Sequence, residues 1–245
     1  MRILIGAMAL LLSFSAWAQT DEEKIYFYAS YFNCDPVGED AADKTFEKYF
    51  KPAYEAGMKS GDITGWGYLK HMTGGNWRRI NYHMGNSVVG VLNAVEKQGE
   101  IVDKALKPRD NDFGRACRSH DDYVWEVKGG TVGADRGKVG LSVYFVCDLN
   151  SESRADELVE KVFAPAYDAH MGPGMLTSWG WSSHVLGGKF RRLLTTTAAS
   201  IDDLFKARAD LLSGFSGSAA GREFNSICSS HEDYLWNIEM EARQN

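Results

Sequence analysis

Two histidine–aspartate pairs are the side chains of this 245-residue chain best suited to proton transfer. His120 and Asp122 lie two residues apart in an aromatic, strand-forming stretch, and His231 and Asp233 repeat the pattern. Residues i and i+2 of a strand share a face, so each carboxylate would orient its imidazole and favour the protonated form. The pattern predicts a catalytic acid/base site. The structural alternative is that these side chains only satisfy loop backbone groups.

Paired arginines in each half suit the binding of an anion. Alternation along a strand would point the two members of a pair to opposite faces, and an inward guanidinium binds carboxylate or phosphate bidentately. A structural ion pair with nearby carboxylates such as Asp35 or Asp122 is the alternative. The predicted ligand-binding residues are His71, Arg78, Arg79, His184, Arg191 and Arg192.

Other chemistries have weaker support. Two histidines and an aspartate per half permit a metal site, but they lack the short spacing of zinc motifs, and no metal ligand is assigned. The chain contains no GxGxxG, P-loop or GxSxG sequence, which disfavours dinucleotide, ATP and nucleophilic-serine chemistry. His83 and His170 have no counterpart in the other half, where Thr196 and Gly57 stand. The cofactor is unknown at this stage.

The elements that position these residues occur twice. One constant offset aligns Cys34 with Cys147 and also Trp66 with Trp179, which predicts a duplicated structural unit. Each copy has the pattern strand, helix, strand, glycine pair, strand, helix, strand. We predict a signal peptide at residues 1–18, one unit at 19–128, a glycine-rich linker at 129–137 and a second unit at 138–245.

The predicted fold class is α+β, with two tandem ferredoxin-like βαββαβ units. Such a unit has the strand order 4-1-3-2 and carries both helices on one face of its sheet. The chain resembles the dimeric α/β-barrel superfamily, in which two such sheets pack face to face, as a single-chain pseudo-dimeric α/β barrel. The resemblance covers nearly the whole mature chain but includes no motif of one family. It implies a monooxygenase that needs little cofactor, an isomerase or a haem-dependent oxidase.

The four cysteines provide one pair per copy. In the order 4-1-3-2 the end of strand one lies beside the start of strand four, so the pairs Cys34–Cys117 and Cys147–Cys228 should each meet. No Cys-x-x-Cys sequence is present, which favours disulfides over a redox or metal role.

The N-terminal residues predict export. A lone Arg2, an apolar run and the segment Ala16-Trp17-Ala18 are typical of a secretory signal cleaved after Ala18, and hence of a periplasmic or secreted protein. The apolar run is too short for a membrane span, which needs about 20 residues, and no later segment supplies one. A net charge of −6 without a long basic cluster makes nucleic acid a poor partner.

Tryptophan and tyrosine are abundant on the predicted strands. A sheet face rich in these residues suits a cavity for a flat organic molecule, with core packing as the alternative. We expect an exported protein that binds a small aromatic or anionic organic ligand in an aromatic-lined cavity. Turnover of monooxygenase or isomerase type stays open, and self-association is compatible but not required. The alternative function is a non-catalytic structural or stress-related interaction module.

Overall fold

The computed structural model describes residues 24–132 and 136–244, so the predicted signal peptide lies outside the described residues. The described strands are β1 (Tyr26–Cys34), β2 (Gly65–Gly74), β3 (Arg79–Gly85), β4 (Cys117–Val132), β5 (Val139–Val146), β6 (Leu176–Leu186), β7 (Arg192–Ala198) and β8 (Ser230–Arg243). The described helices are α1 (Glu39–Thr45), α2 (Lys51–Ser60), α3 (Val88–Ala105), α4 (Asp112–Ala116), α5 (Glu152–Leu158), α6 (Ala164–Ala169), α7 (Ile201–Phe215) and α8 (Ala219–Ile227).

The eight strands form one closed antiparallel barrel in the order β1-β3-β2-β8-β5-β7-β6-β4. Within each half the strands keep the order 4-1-3-2. The predicted fold class, two ferredoxin-like units packed with their sheets face to face as a pseudo-dimer, is wrong. The two sheets instead join edge to edge, because β2 pairs with β8 and β4 pairs with β6.

The physical reason is the length of the last strand of each half. The sequence predicts that these strands end at Val127 and Ile238, but β4 continues to Val132 and β8 to Arg243. Pairing with the other half begins within the predicted strands, at Val124 and Tyr234, and the added residues continue it along β6 and β2. An open sheet edge leaves backbone N–H and C=O groups unpaired, and closure satisfies the edges of both sheets. Residues 129–132 of the predicted linker thus belong to β4, while the division into two units stays a prediction.

The sequence predicts one helix that starts at Ser87, as an N-cap, and an equivalent helix that starts at Ser200, and α3 and α7 begin at these residues. The Ser87 hydroxyl accepts a hydrogen bond from the Gly90 N–H at 2.9 Å, and Ser200 accepts one from Asp203 at 3.2 Å. Such a cap contributes about 1 kcal/mol to helix stability. Both helices lie against the outer face of the barrel, α3 on β1 and β3 and α7 on β5, β6 and β7. The side chains on the inner face of the sheet therefore pack against one another inside the barrel.

Both predicted disulfides are present, Cys34–Cys117 and Cys147–Cys228. Cys34 ends β1 and Cys117 begins β4, whereas Cys147 directly follows β5 and Cys228 lies shortly before β8. Disulfides persist in oxidising compartments, so the pair is consistent with a location outside the cytoplasm. No helix in the part of the chain that the structure describes is long and apolar enough to cross a membrane.

Aromatic rings fill the barrel at the end that carries the disulfides. Trp77 stacks on Tyr234 with ring centroids 5.0 Å apart, and Tyr123 stacks on Trp125 at 5.1 Å. Offset-stacked and edge-to-face pairs of this kind add stability beyond their buried area. The buried rings of this aromatic plug are Tyr31, Trp77, Tyr123, Trp125, Tyr144, Phe190, Tyr234 and Trp236.

Candidate functional site

Beyond the aromatic plug the barrel contains a cavity of about 240 Å³. Its lining comes from β2, from the starts of β1, β5 and β6 and from the ends of β3, β4, β7 and β8, and it lies toward the barrel end away from the disulfides. Tyr31, Tyr144 and Trp236 belong to both the plug and the lining and form the cavity floor. Because an apolar cavity of about 150 Å³ holds benzene, this volume admits a substituted ring.

The two halves of the chain line the cavity with different side chains. The first half contributes mainly large apolar groups, among them Phe27, Leu69, Ile80, Tyr82 and Met84. The second half contributes many glycines and hydroxyls, among them Gly140, Ser142, Ser178, Gly180, Ser182, Thr195 and Thr197. The cavity thus has an apolar wall opposite a wall that offers space and hydrogen bonds.

Arg136 lies at the mouth of the cavity, just before β5. Its Nη1 donates to the Tyr82 hydroxyl at 2.8 Å and to a Glu241 carboxylate oxygen at 3.0 Å. Burial by itself lowers the pKa of Arg136, but Tyr82 and Glu241 hold that pKa above its ordinary value. The guanidinium therefore stays charged while only 13% of its side chain is exposed.

Arg243 adds a second cation to the mouth. It lines the cavity, and its buried Nε has no hydrogen-bonding partner among the described residues. Glu241 is the ion-pair partner of Arg136, and Arg243 forms no ion pair with the described residues. The mouth is thus suited to an anionic group.

The sequence missed Arg136, Glu241 and Arg243. Arg136 belongs to a stretch that its glycines mark as a linker, and the other two follow the predicted end of the last strand. A signal did exist for the cavity, because at two inward-facing strand positions the copies differ greatly in side-chain size. Tyr82 aligns with Thr195, and Phe27 aligns with Gly140.

The predicted polar residues lie at the barrel end that holds the disulfides, away from the cavity. Arg78 Nε donates to Glu39 at 2.6 Å, and Arg78 Nη1 lies 2.7 Å from His71 Nδ1. An arginine can only donate, so Nδ1 accepts and the imidazole proton sits on Nε2. Burial and the neighbouring guanidinium both lower the pKa of His71. The second half repeats this arrangement with Arg191, Glu152 and His184.

The second imidazole nitrogen has the same surroundings in both halves. Nε2 of His71 and of His184 is buried without a conventional partner. His71 meets Trp236 edge to face at 5.9 Å, and His184 meets Trp125 at 6.1 Å. These histidines thus belong to the packing around the aromatic plug.

The second arginine of each pair is buried in an ion pair. Arg79 Nε donates to Asp43 at 2.7 Å, and Nη1 lies 3.1 Å from Glu39. Arg192 forms the same contacts with Asp156 and Glu152. Burial would raise the pKa of Asp43, but its hydrogen bonds to Arg79 and Tyr68 hold that pKa below its ordinary value.

These contacts match the structural alternative for the arginines. The partner carboxylates, however, are not Asp35 and Asp122, which the sequence analysis named. Asp35 instead accepts from the Val37 N–H at 3.0 Å, and Asp122 is engaged by other groups. A ligand-binding role for the six residues stays a prediction. The missed carboxylates had a signal, since an acidic pair spaced by four residues opens the first helix of both copies.

The histidine–aspartate pairs are brought together less symmetrically. His120 Nδ1 lies 2.9 Å from Asp122, which also accepts from the Ser30 hydroxyl at 2.7 Å. His231 Nε2 lies 3.5 Å from Asp233, whose closer partner is Arg208 at 2.9 Å. None of the four residues lines the cavity. Their catalytic role stays a prediction, and the cavity is formed by other residues.

Comparison with solved structures places the fold among known proteins. A candidate monooxygenase from Lactobacillus acidophilus is 8% identical with a TM-score of 0.62, covering 91% of this chain and 98% of that one. An anthrone oxidase-like protein is 10% identical with a TM-score of 0.57, covering 91% and 94%. A chlorite dismutase variant from Candidatus Nitrospira defluvii, in complex with cyanide, is 10% identical with a TM-score of 0.59, covering 88% and 91%.

These likenesses confirm the fold-level resemblance to the dimeric α/β-barrel superfamily. At 8–10% identity they show the fold alone. No family model matches the sequence, and no curated protein matches it.

The cavity does not fit the haem that the superfamily resemblance implied for one class of enzyme. A porphyrin is larger than the drug-sized ligands whose pockets span about 300–1,000 Å³, whereas this cavity measures about 240 Å³. No histidine or cysteine lines it in the described ranges. Residues 24–132 and 136–244 also contain no group of three or more His, Cys, Asp or Glu side chains placed to hold a metal ion.

The unmatched histidines lie outside the cavity. His170 Nδ1 contacts the Ala166 carbonyl at 2.8 Å. His83 is buried under α3, where its Nε2 contacts the Val91 carbonyl at 2.7 Å and its ring stacks on Tyr28. Burial lowers the pKa of His83 to about 4, so the imidazole is neutral in the folded protein at neutral pH.

We expect His83 to make the protein sensitive to acid. In the unfolded chain a histidine titrates near pH 6.5. Between pH 6.5 and about 4 the imidazole is therefore protonated in the unfolded state and neutral in the folded state. Stability is therefore lost as the pH falls, by about 2 kcal/mol between pH 7 and pH 5. Urea unfolding at both pH values checks this. In His83→Thr the loss should shrink by that amount; an unchanged loss would contradict the assignment.

Proposed function

We propose that this protein is an exported binding protein for a small organic molecule with an aromatic body and an acidic end. The observation that carries the proposal is the cavity, with an aromatic floor, one apolar wall, one hydroxyl-bearing wall and two guanidinium groups at its mouth. Ligand sites are typically concave and mostly apolar with a few placed polar groups. The aromatic body would lie within the barrel and the acid at Arg136 and Arg243.

The titratable groups of the cavity support binding ahead of acid/base catalysis. In the described chain they are Tyr31, Tyr82 and Tyr144 together with Arg136 and Arg243. Burial raises the pKa of Tyr31 and Tyr144 well above the ordinary value, and arginine does not release its proton. A general base works best with a pKa near the operating pH. The likeness to monooxygenases therefore concerns the fold, and we assign no proton transfer to the residues of this cavity.

Export is part of the proposal. The features of residues 1–18 and the two disulfides both support it. A location outside the cytoplasm would expose the cavity to ligands from the surroundings of the cell.

Calorimetric titration of the mature protein with 4-phenylbutyrate and 4-phenyl-1-butanol tests the proposal. The two compounds share the ring and the chain but differ in charge. A hydrogen bond to a charged group contributes about 1.5–3 kcal/mol, so we expect the acid to bind at least about tenfold more tightly at low salt. The preference should decline as salt is added.

Two variants separate the mouth from general charge effects. Arg243→Met should remove most of the preference for the acid and leave binding of the alcohol unchanged. Arg109→Met is the matched control, because Arg109 is 80% exposed in the loop before α4 and should change neither affinity. Absence of binding by both compounds would overturn the proposal in favour of an interaction module.

A further inference from the structure

A bulge in β8 turns two charged side chains toward the inside of the barrel. The pairing of β8 with β2 shifts between Tyr68 and Leu69, which leaves Glu239 as an extra residue in β8. An extra residue reverses the alternation of inward and outward side chains beyond it. Glu241 and Arg243 therefore take inward positions near the end of the strand.

The strand register fixes the direction of these two side chains. Glu241 lies opposite Gly67, and Arg243 lies opposite Gly65. Opposed residues of an antiparallel pair share a face of the sheet, and so do residues i and i+2 of one strand. Gly65 and Gly67 therefore share the face of Leu69, which lines the cavity. Both charged residues of β8 lie on that face.

Tyr82 joins Glu241 to Arg136 at the cavity mouth. A Cβ at Gly67 would collide with the Tyr82 ring, so the glycine is what lets this ring lie between β3 and Glu241. The Tyr82 hydroxyl accepts from Arg136 at 2.8 Å and lies 3.4 Å from the Glu241 carboxylate, to which Arg136 also donates at 3.0 Å. Glu241 is thus held in a fixed place, with 22% of its side chain exposed.

The fold does not require the charges on β8. The first half has a corresponding register shift in β4, and its equivalent positions lie opposite Gly180 and Ser178. Gly130 and Val132 stand there, and neither residue can carry a charge. The barrel closes between β4 and β6 with these residues. Because closure proceeds without charges in one copy, the carboxylate of the other copy is available for ligand selection.

We propose that Glu241 limits the ligand to a single negative charge, so that the protein binds an aromatic monocarboxylate and excludes dicarboxylates and phosphate monoesters. Among the described residues the mouth carries two guanidinium groups and one carboxylate, so a monoanion balances the remaining positive charge. The ligand carboxylate lies between Arg243 and Arg136, which keeps its contact with Glu241. This inference rests on the proposed function and adds the charge of the ligand.

The physical reason is repulsion at close range. A dianion would place its second negative charge beside the carboxylate of Glu241. Like charges repel more strongly where water is partly excluded, and a half-buried pair is screened less by salt than an exposed one. The same repulsion acts more weakly on the single charge of a monoanion.

Probes that share the skeleton of 4-phenylbutyrate test the charge limit without any variant. (2-Phenylethyl)malonate is 4-phenylbutyrate with a second carboxylate on the α-carbon, and its monomethyl ester has nearly the same bulk but one charge. At neutral pH and low salt we expect the mature protein to bind the monoester at least about tenfold more tightly than the dianion. Calorimetric titration measures both affinities. Equal binding, or tighter binding of the dianion, overturns the inference.

Glu241→Gln tests the residue itself. The amide keeps the shape of the side chain but removes the charge, so the preference for the monoester should fall to about threefold or less, and 4-phenylbutyrate should bind about fivefold more tightly. Glu239→Gln is the matched control, because Glu239 is 43% exposed and pairs with Lys70 at 3.2 Å. The control should keep the affinities of the parent protein. Unchanged affinities in Glu241→Gln, or equal changes in both variants, overturn the role of Glu241.

The remaining outcomes separate this inference from the proposed function. If neither malonate compound binds, the affinity of 4-phenylbutyrate decides, and no gain in Glu241→Gln overturns the inference. If Glu241→Gln does not fold, the comparison of the two malonate compounds in the parent protein decides. Absence of binding by both phenylbutyl compounds means that the proposed function fails. Preference for 4-phenylbutyrate over the alcohol without discrimination against the dianion removes only the present inference.

Discussion

Replacing Cys34 and Cys117 by alanine is expected to lower the free energy of unfolding by about 4.5 kcal/mol. The disulfide closes a loop with a sequence separation of 83 residues, and the chain-entropy model gives this magnitude for such a loop. Cys147→Ala/Cys228→Ala opens a loop of nearly equal separation, 81 residues, and should cost as much. Urea unfolding of both variants under oxidising conditions measures the two losses.

The shape of the unfolding curve carries further information. Because β2 pairs with β8 and β4 with β6, neither half has a closed sheet alone, and we expect one cooperative transition in each variant. Two separate transitions would instead indicate halves that fold independently. Reduction of both disulfides should remove on the order of 9 kcal/mol, which is comparable with the whole stability of a typical domain. Such dependence on disulfides supports the proposal of an exported protein.

Much of the fold was predictable because duplicated residues obey the same local rules twice. The repeat, the strand order within each half, the disulfide pairs and the serine caps at Ser87 and Ser200 all followed from spacing. Closure of the barrel did not follow. The pairing of β4 with β6 begins at Val124 and continues through Gly129 and Gly130, and glycines in a strand pattern normally weaken the prediction of such an extension. The pairing partners that make this extension stable come from the other half.

The candidate site was likewise predictable only in part. Spacing identified polar residues that recur in both halves. Many of them form hydrogen bonds or ion pairs within the protein, as Arg79 does with Asp43. The cavity depends on positions that do not recur, because a symmetric barrel would fill both halves alike. Size differences such as Phe27 with Gly140 indicate the asymmetric side. Only the closed barrel shows that these differences face one common space.

Substituting Arg79 by methionine is expected to cost about 3 kcal/mol of stability. Removal of one partner of a buried ion pair typically costs about 3–5 kcal/mol, because it leaves the other charge desolvated. The value should lie at the low end, since Asp43 keeps Lys70 at 3.1 Å and Glu39 keeps Arg78 at 2.6 Å. Thermal or urea unfolding with unchanged slope m measures the loss.

Two matched variants give this prediction its control. Arg192→Met removes the equivalent guanidinium of the second half, which contacts Asp156 and Glu152, and should cost at least as much, because no lysine is paired with Asp156 among the described residues. Arg78→Met removes a partly exposed arginine from Glu39, which Arg79 also contacts. This variant should cost less than Arg79→Met, since exposed ion pairs contribute about 0–1 kcal/mol. A loss below about 1 kcal/mol for Arg79→Met would mean that the ion pair is dispensable, which would leave its guanidinium free for the anion-binding role predicted from the sequence.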